Sequence, residues 1–179
     1  MTPAGAAPAD SPATPAAPAA AGLGRRWCAL VYDAFLLFAL FLVAGFAVLP
    51  IIGPAHSGPA YEARQLYVLP AASGAFLFFY YLAIGGVYCI AFWSDGRRTL
   101  AMKTWGLGLR TAQGGPVDRR HAIVRYFAAW LGPAAGLAGY ALLGRWGLLA
   151  GGLNYCWAWL DRDRQFLHDR LAGTRIIRL

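Results

Sequence analysis

The chain has 179 residues, of which 59% are hydrophobic and only 13% are charged, so it is far more apolar than a soluble globular domain. This length predicts one domain, and it excludes a large soluble catalytic domain because polar stretches between apolar runs reach only about 30 residues. The net charge of +8 does not predict a nucleic-acid partner, since the 15 Arg and single Lys are spread between apolar runs. We therefore expect an all-α, polytopic membrane helix bundle.

Residues 1–22 are predicted to be a disordered tail rich in Ala and Pro, because no aromatic or branched aliphatic side chain occurs before Leu23. Arg25 and Arg26 precede an apolar run, and secretory and twin-arginine signals also have basic residues before an apolar run. The run is too long for a typical signal, however, and further spans follow. We interpret it as a signal anchor that stays attached, and we place the transmembrane domain at residues 23–179.

Four membrane spans are predicted, at about residues 27–52, 66–93, 122–144 and 146–160. The first two exceed the roughly 20 residues that cross a bilayer. The 35 residues from Tyr126 to Leu160 carry only Arg145 and are too long for one straight span, so we expect the chain to fold back at Gly144–Gly147. Whether the short fourth limb crosses fully, tilts or re-enters is left open.

The distribution of basic residues favours four spans over three. With four spans, 14 of the 16 basic residues lie on one side, in the flank at Arg25 and Arg26, the loop at 94–125 and the C-terminal tail. Short cytoplasmic loops concentrate Lys and Arg. We therefore expect a multi-pass membrane protein with both termini in the cytoplasm.

The basic cytoplasmic loop has local order of its own. Thr99 to Leu109 predicts a short interfacial turn or helix followed by an alternating, strand-like piece. Asp118 is placed to cap a helix that begins at Arg119 and enters the third span. The run Gly96–Thr99 lacks the spacing of a phosphate-binding loop, so contact with lipid headgroups is the simpler interpretation.

No cofactor or metal is predicted. The many rings of the second span are interpreted as lipid-facing or interhelical packing in preference to a ligand groove. The three cysteines form no C-x-x-C pair, so neither a disulfide framework nor a zinc site is expected. Gly132 and Gly136 have the G-x-x-x-G spacing that permits close helix contacts.

Asp33 is the most informative residue, because it lies inside the apolar run from Trp27 to Ile52. A carboxylate there costs about 3 kcal/mol on insertion scales, so it needs a partner or a functional role. Arg26 is seven residues earlier, on the same helix face and about 10.5 Å away along the axis, which makes direct contact strained.

The chain resembles the RDD family of bacterial membrane proteins over nearly everything after the tail. The similarity rests on three motifs: Arg26-x-x-Ala29-x-x-x-Asp33, Gly96–Lys103 with Trp105-Gly106-Leu107, and Phe166–Thr174. The resemblance implies that the eponymous arginine and two aspartates are Arg26, Asp33 and Asp169. The central loop departs from the usual family pattern at Arg97 and Ala101. The resemblance also implies a location in the bacterial cytoplasmic (inner) membrane. Transport, including sodium/proton exchange, is attributed to some members.

We predict a functional polar cluster of Arg26, Asp33, His168 and Asp169. Asp169 follows the last span by nine residues and is expected to fold back and pair with Arg26, with Asp33 hydrogen-bonded deeper in the membrane. His168, with an ordinary pKa near 6.5, is expected to add a pH-responsive group.

Two functions follow from this cluster. The favoured hypothesis is a structural clamp in an assembly or envelope-biogenesis component, and the alternative is a small ion or proton-coupled transporter that uses Asp33. An enzyme is not expected, because His56, His121 and His168 are scattered and no catalytic residue is predicted. The expected partners are the lipid bilayer and its anionic headgroups, with either further copies of the chain or another membrane protein; nucleic acid is not expected.

Overall fold

The structure is a computed structural model that describes residues 20–52 and 71–179. Three of its helical stretches are long and apolar enough to cross a bilayer, Leu23–Ile52, Ser73–Trp93 and Arg119–Leu160. The predicted class, an all-α polytopic membrane bundle, is confirmed. In chain order, the elements are α1 (Leu23–Ile52), α2 (Ala71–Trp93), α3 (Leu100–Thr104), β1 (Leu107–Thr111), α4 (Arg119–Ala129), α5 (Leu131–Leu143), a 3-10 helix (Gly144–Gly152), α6 (Leu153–Leu160), α7 (Leu167–Leu171) and β2 (Thr174–Arg178).

The third apolar stretch folds back on itself after α5. Gly144 has a φ of +62°, a left-handed conformation that glycine adopts without a steric penalty. The 3-10 helix then packs antiparallel along α5 so closely that a Cβ on Gly139 would overlap the carbonyl of Gly147. A 3-10 helix rises about 2.0 Å per residue against 1.5 Å in an α-helix, so the returning limb covers more depth than an α-helix of equal length.

The ends of the spans meet in a small folded cap, which we define as α3, β1, α7 and β2. The two strands pair antiparallel, with Leu107 opposite Arg178 and Thr111 opposite Thr174. The helix-then-strand order of α3 and β1 is the order expected from the Thr99–Leu109 pattern. Strand β2 was not predicted from the sequence; it forms with β1 a two-stranded sheet, and the other regular elements of residues 20–52 and 71–179 are helices.

Most of the tightly buried side chains lie in or beside the cap and not within the spans. Leu107, Val117 and Phe166 are each 1% exposed, whereas only 11–17% of the span residues are buried inside the protein. Lipid tails are as apolar as leucine, so apolar side chains in the spans gain little by packing inward. The cap holds the hydrophobic core that fixes how the helix ends are arranged.

The start of the described chain also joins the cap. The backbone N–H of Ala21 donates to the carbonyl of Ile176 at 3.3 Å, and Ala21 is 2% exposed. Ala20 and Ala21 of the predicted tail therefore lie against β2. The predictions for residues 1–19, for 66–70 of the second span and for His56 fall outside the described residues.

Candidate functional site

Asp33 connects three elements through two hydroxyl groups. Thr99 Oγ1 donates to Asp33 Oδ2 at 2.9 Å, and Tyr88 of α2 donates to Oδ1 at 3.3 Å. The same Thr99 hydroxyl accepts the backbone N–H of Met102 at 3.1 Å and so caps the N-terminus of α3. The half-buried carboxylate thus ties α1 to α2 and to the cap.

Arg26 binds backbone carbonyls of the C-terminal segment. Its guanidinium is 1% exposed; Nη2 donates to the carbonyl of Ile176 at 3.0 Å, and Nη1 donates to the carbonyl of Arg164. Among the described residues, no ion pair joins Arg26 to Asp33 or to Asp169. The predicted Arg26–Asp169 pair is therefore wrong as a direct contact, because Arg26 uses its donors on the chain that leads to and follows α7.

The direct partner of Asp169 is Arg125 of α4. Arg125 Nε and Asp169 Oδ1 are 2.7 Å apart, and the two side chains are 4% and 0% exposed. The Arg125 guanidinium also lies over the ring of Trp93, 4.2 Å from its centroid, which adds a cation–π contact. Burial by itself raises the pKa of Asp169, but the Arg125 charge, with His168, the Arg125 hydrogen bond and Arg26, holds it below its ordinary value.

Sequence reasoning missed Arg125, which it counted as one more basic loop residue. The structure places it two turns into α4, whose N-terminus is capped by Asp118 as predicted; Asp118 Oδ1 accepts the backbone N–H of His121 at 2.9 Å. The position of Arg125 in the sequence could have identified it, because a helix that starts at Arg119 places Arg125 within an apolar stretch. An arginine there needs a desolvated partner just as Asp33 does.

His168 lies next to the ion pair but is not the expected pH-responsive group near neutral pH. Its backbone N–H donates to Asn154 Oδ1 at 3.0 Å, its Nε2 is 3.6 Å from Asp169 Oδ1, and the ring stacks on Phe166. Burial lowers the pKa of His168 to about 4, despite the opposing effect of Asp169. The imidazole is therefore neutral at pH 7, and the expectation of an ordinary pKa is wrong.

Ion pairs of Arg170 stabilise the loop between α6 and α7. Arg170 donates to Asp161 Oδ1 and to Asp163 Oδ2, both at 2.7 Å, while Asp161 Oδ2 accepts the backbone N–H of Gln165 at 2.8 Å. Burial raises the pKa of Asp161, but these hydrogen bonds and the Arg170 charge hold it below its ordinary value. The Gln165 side chain in turn accepts the backbone N–H of Ile176 at 3.1 Å.

The sequence profile of the RDD family matches residues 20–173 of the chain, which is most of its length. The chain belongs to the RDD family. No curated protein and no solved structure matches it at a significant level.

In this RDD protein the four predicted cluster residues divide into two groups. His168 and Asp169 lie together, within range of the Arg26 charge, whereas Asp33 has its own partners on α2 and before α3. Within residues 20–52 and 71–179, no group of three or more His, Cys, Asp or Glu side chains is arranged to hold a metal ion. The observed chemistry is that of buried charges held by protein partners across the helix ends.

Proposed function

We propose that this RDD protein is a non-catalytic structural or assembly component of the bacterial inner membrane, in which the polar cluster clamps the helix ends to the cap. The observation that carries the proposal is the Arg125–Asp169 pair, which is 2.7 Å long and withdrawn from solvent. Both charges are used within the protein. A buried pair of this kind stabilises one arrangement, because removing either partner leaves an uncompensated charge.

The same proposal places the cap in the cytoplasm. Fourteen basic residues lie on the segments that form or enter the cap, whereas Arg145 lies at the opposite end beside the Gly144 turn. Lys and Arg concentrate on the cytoplasmic side of short loops. The described chain starts and ends at the cap, which supports cytoplasmic placement of both ends.

A transporter that uses Asp33 is the second candidate, and one observation favours it. Both Asp33 oxygens accept hydroxyl hydrogen bonds, and no cationic side chain forms an ion pair with Asp33 among the described residues. A carboxylate held in this way inside a span is able to take up and release a proton. Asp169 is paired with Arg125, and Arg26 binds backbone carbonyls. Asp33 differs from both, because its partners among the described residues are uncharged hydroxyl groups.

Flux and stability together separate the two functions. The purified protein is reconstituted into sealed phosphatidylglycerol–phosphatidylethanolamine vesicles, and cation and proton movement are followed under a pH or sodium gradient. The clamp predicts no flux above that of empty vesicles, and a lower melting temperature for Asp33→Asn. Flux in the wild type that Asp33→Asn removes without a change in melting temperature would overturn the clamp in favour of transport.

A structural or assembly role also requires a binding partner, which we propose to be further copies of this chain or another membrane protein. Intact-mass measurement of the protein extracted in a mild detergent separates these partners. A multiple of the 19.2 kDa chain mass indicates self-association. A monomer with no co-extracted protein counts against an assembly role.

A further inference from the structure

A groove runs between α2 and α4; its walls are apolar, and its open end at the cap, which we call the mouth, is basic. Its volume is about 620 Å³. The walls are apolar over most of their length, where Leu82, Val87 and Ile90 contribute side chains, and two cationic residues, Arg97 and Arg119, line one end. The groove is therefore amphipathic along its axis.

Backbone pairing brings the two arginines to the same mouth. The N–H of Asp95 donates to the carbonyl of Val117 at 2.8 Å, which joins the turn after α2 to the residues that start α4. The Arg97 side chain is 57% exposed, and its one ion pair within the described part of the chain is with the Asp95 carboxylate at 3.6 Å, an exposed pair of little strength. Arg119 is also exposed. Neither cation is committed to the cluster of buried charges.

A tyrosine and small residues keep the groove open. Tyr126 packs on Gly86, where an added Cβ would lie 3.2 Å from its ring, and its hydroxyl donates to the carbonyl of Leu82 at 2.7 Å. This bond holds the ring against α2 as one wall. Ala83 and Ala91 present only methyl groups beside it, so the space between the two helices is left unfilled.

The length of the groove matches one leaflet of a bilayer. Its lining runs from Phe79 of α2 to Ser94, the residue that follows the helix, which is about 22 Å at 1.5 Å per residue. Half of a bilayer, including its headgroup region, is about 20–22 Å thick. The basic mouth lies at the cap end of the spans, where a bilayer has its headgroups, and the apolar walls lie along the spans, where it has its acyl chains.

We propose that this groove is a binding site for one anionic phospholipid, whose phosphate lies between Arg97 and Arg119 and whose acyl chain follows α2. The charge of the mouth is complementary to a lipid phosphate, and the apolar walls are complementary to an acyl chain. A soluble phosphate compound would leave those walls without a partner. The proposal does not depend on whether the protein is a clamp or a transporter.

The test is native mass spectrometry of the intact protein after delipidation in mild detergent, with phosphatidylglycerol or phosphatidylcholine added back. The test variant is Arg97→Gln/Arg119→Gln, and its matched control is Arg98→Gln/Arg120→Gln, which removes the same charge from neighbouring residues that do not line the groove. A direct hydrogen bond to a charged group contributes about tenfold in affinity, so we expect the test variant, which loses two phosphate contacts, to bind phosphatidylglycerol about a hundredfold more weakly, and the control variant to bind it nearly as the wild type does.

A third variant, Ala83→Trp, fills the groove from an exposed α2 position and leaves both arginines in place. It is expected to weaken phosphatidylglycerol binding as well, and it keeps the proposal testable if the double variant does not fold. Equal losses in the test and control variants would overturn the proposal, as would equal retention of phosphatidylcholine by the wild type. Displacement of the lipid by equimolar glycerol phosphate or inorganic phosphate would identify a soluble phosphate site instead.

Discussion

Replacing Asp169 with asparagine removes the negative half of the buried ion pair and nearly preserves the size of the side chain. Arg125 then remains 3% exposed with its charge uncompensated, and its contact with Trp93 cannot replace a carboxylate 2.7 Å away. Loss of one partner of a buried pair costs about 3–5 kcal/mol. At about 2–4 °C per kcal/mol for a chain of this size, the melting temperature should fall by about 10 °C.

The assay is thermal unfolding of the purified protein in detergent, followed by tryptophan fluorescence. Asp163→Asn is the matched control, because it makes the same chemical change in a pair with Arg170 whose side chains are 58% and 43% exposed. Such a pair contributes about 0–1 kcal/mol. Arg125→Met/Asp169→Leu, which removes both charges, should recover most of the lost stability. The reasoning is refuted if Asp169→Asn unfolds like Asp163→Asn, or if the double variant is as unstable as the single one.

Three further predictions use the same unfolding assay. Thr99→Val removes the hydrogen bond to Asp33 and the cap of α3 together, so it should cost about 2–3 kcal/mol. His168 has a pKa of about 4 in the folded state against 6.5 when exposed, so the unfolded chain binds the extra proton and stability should fall by about 2 kcal/mol from pH 7 to pH 5. His168→Gln should remove that part of the pH dependence. Gly139→Ala places a methyl group against the backbone of the returning limb and should cost about 2 kcal/mol, whereas Gly74→Ala, with nothing within 4 Å, should be neutral or stabilising.

Each of these predictions has an outcome that would contradict it. Thr104→Val removes a hydroxyl whose one hydrogen bond among the described residues is to the exposed carbonyl of Leu100, and a loss as large as that of Thr99→Val would show that neither the Asp33 bond nor the α3 cap stabilises the protein. An unfolding profile of His168→Gln that keeps the wild-type slope between pH 7 and pH 5 would assign the slope to other groups. Equal melting temperatures for the two glycine variants would disprove the tight contact between α5 and the 3-10 helix.

The features that could be predicted from the sequence are those with a short-range signal. Asp118 and the N–H that it caps are three residues apart, and the turn glycine at Gly144 interrupts an apolar run too long for one span. The charge pair was not predictable in this way. Arg125 and Asp169 are 44 residues apart, and charge alone did not distinguish Arg125 from Arg26, which was the predicted partner.

Strand β2 was missed for a related reason. A strand with one buried face alternates apolar and polar residues, but Ile176 and Ile177 are adjacent and are 5% and 2% exposed. Because adjacent side chains point to opposite faces, both faces of the strand are covered; its edges are also occupied, by β1 on one side and by Ala20 and Ala21 on the other. The burial of His168, which lowers its pKa, also depends on residues distant in sequence, since Asn154 and Tyr155 of α6 contact its ring.

Arg26, Asp33 and Asp169 each contact the cap in a different way, and this affects how any variant of this protein is interpreted. Arg26 holds the backbone of the C-terminal segment, Asp33 holds the residue that caps α3, and Asp169 neutralises a buried arginine of α4. Loss of any one of them removes a contact between a span and the cap. A transport defect in an Asp33 variant therefore identifies a proton carrier only when the same preparation melts at the wild-type temperature. Thr99→Val supplies the missing control, because it loosens the cap and leaves the carboxylate able to carry a proton.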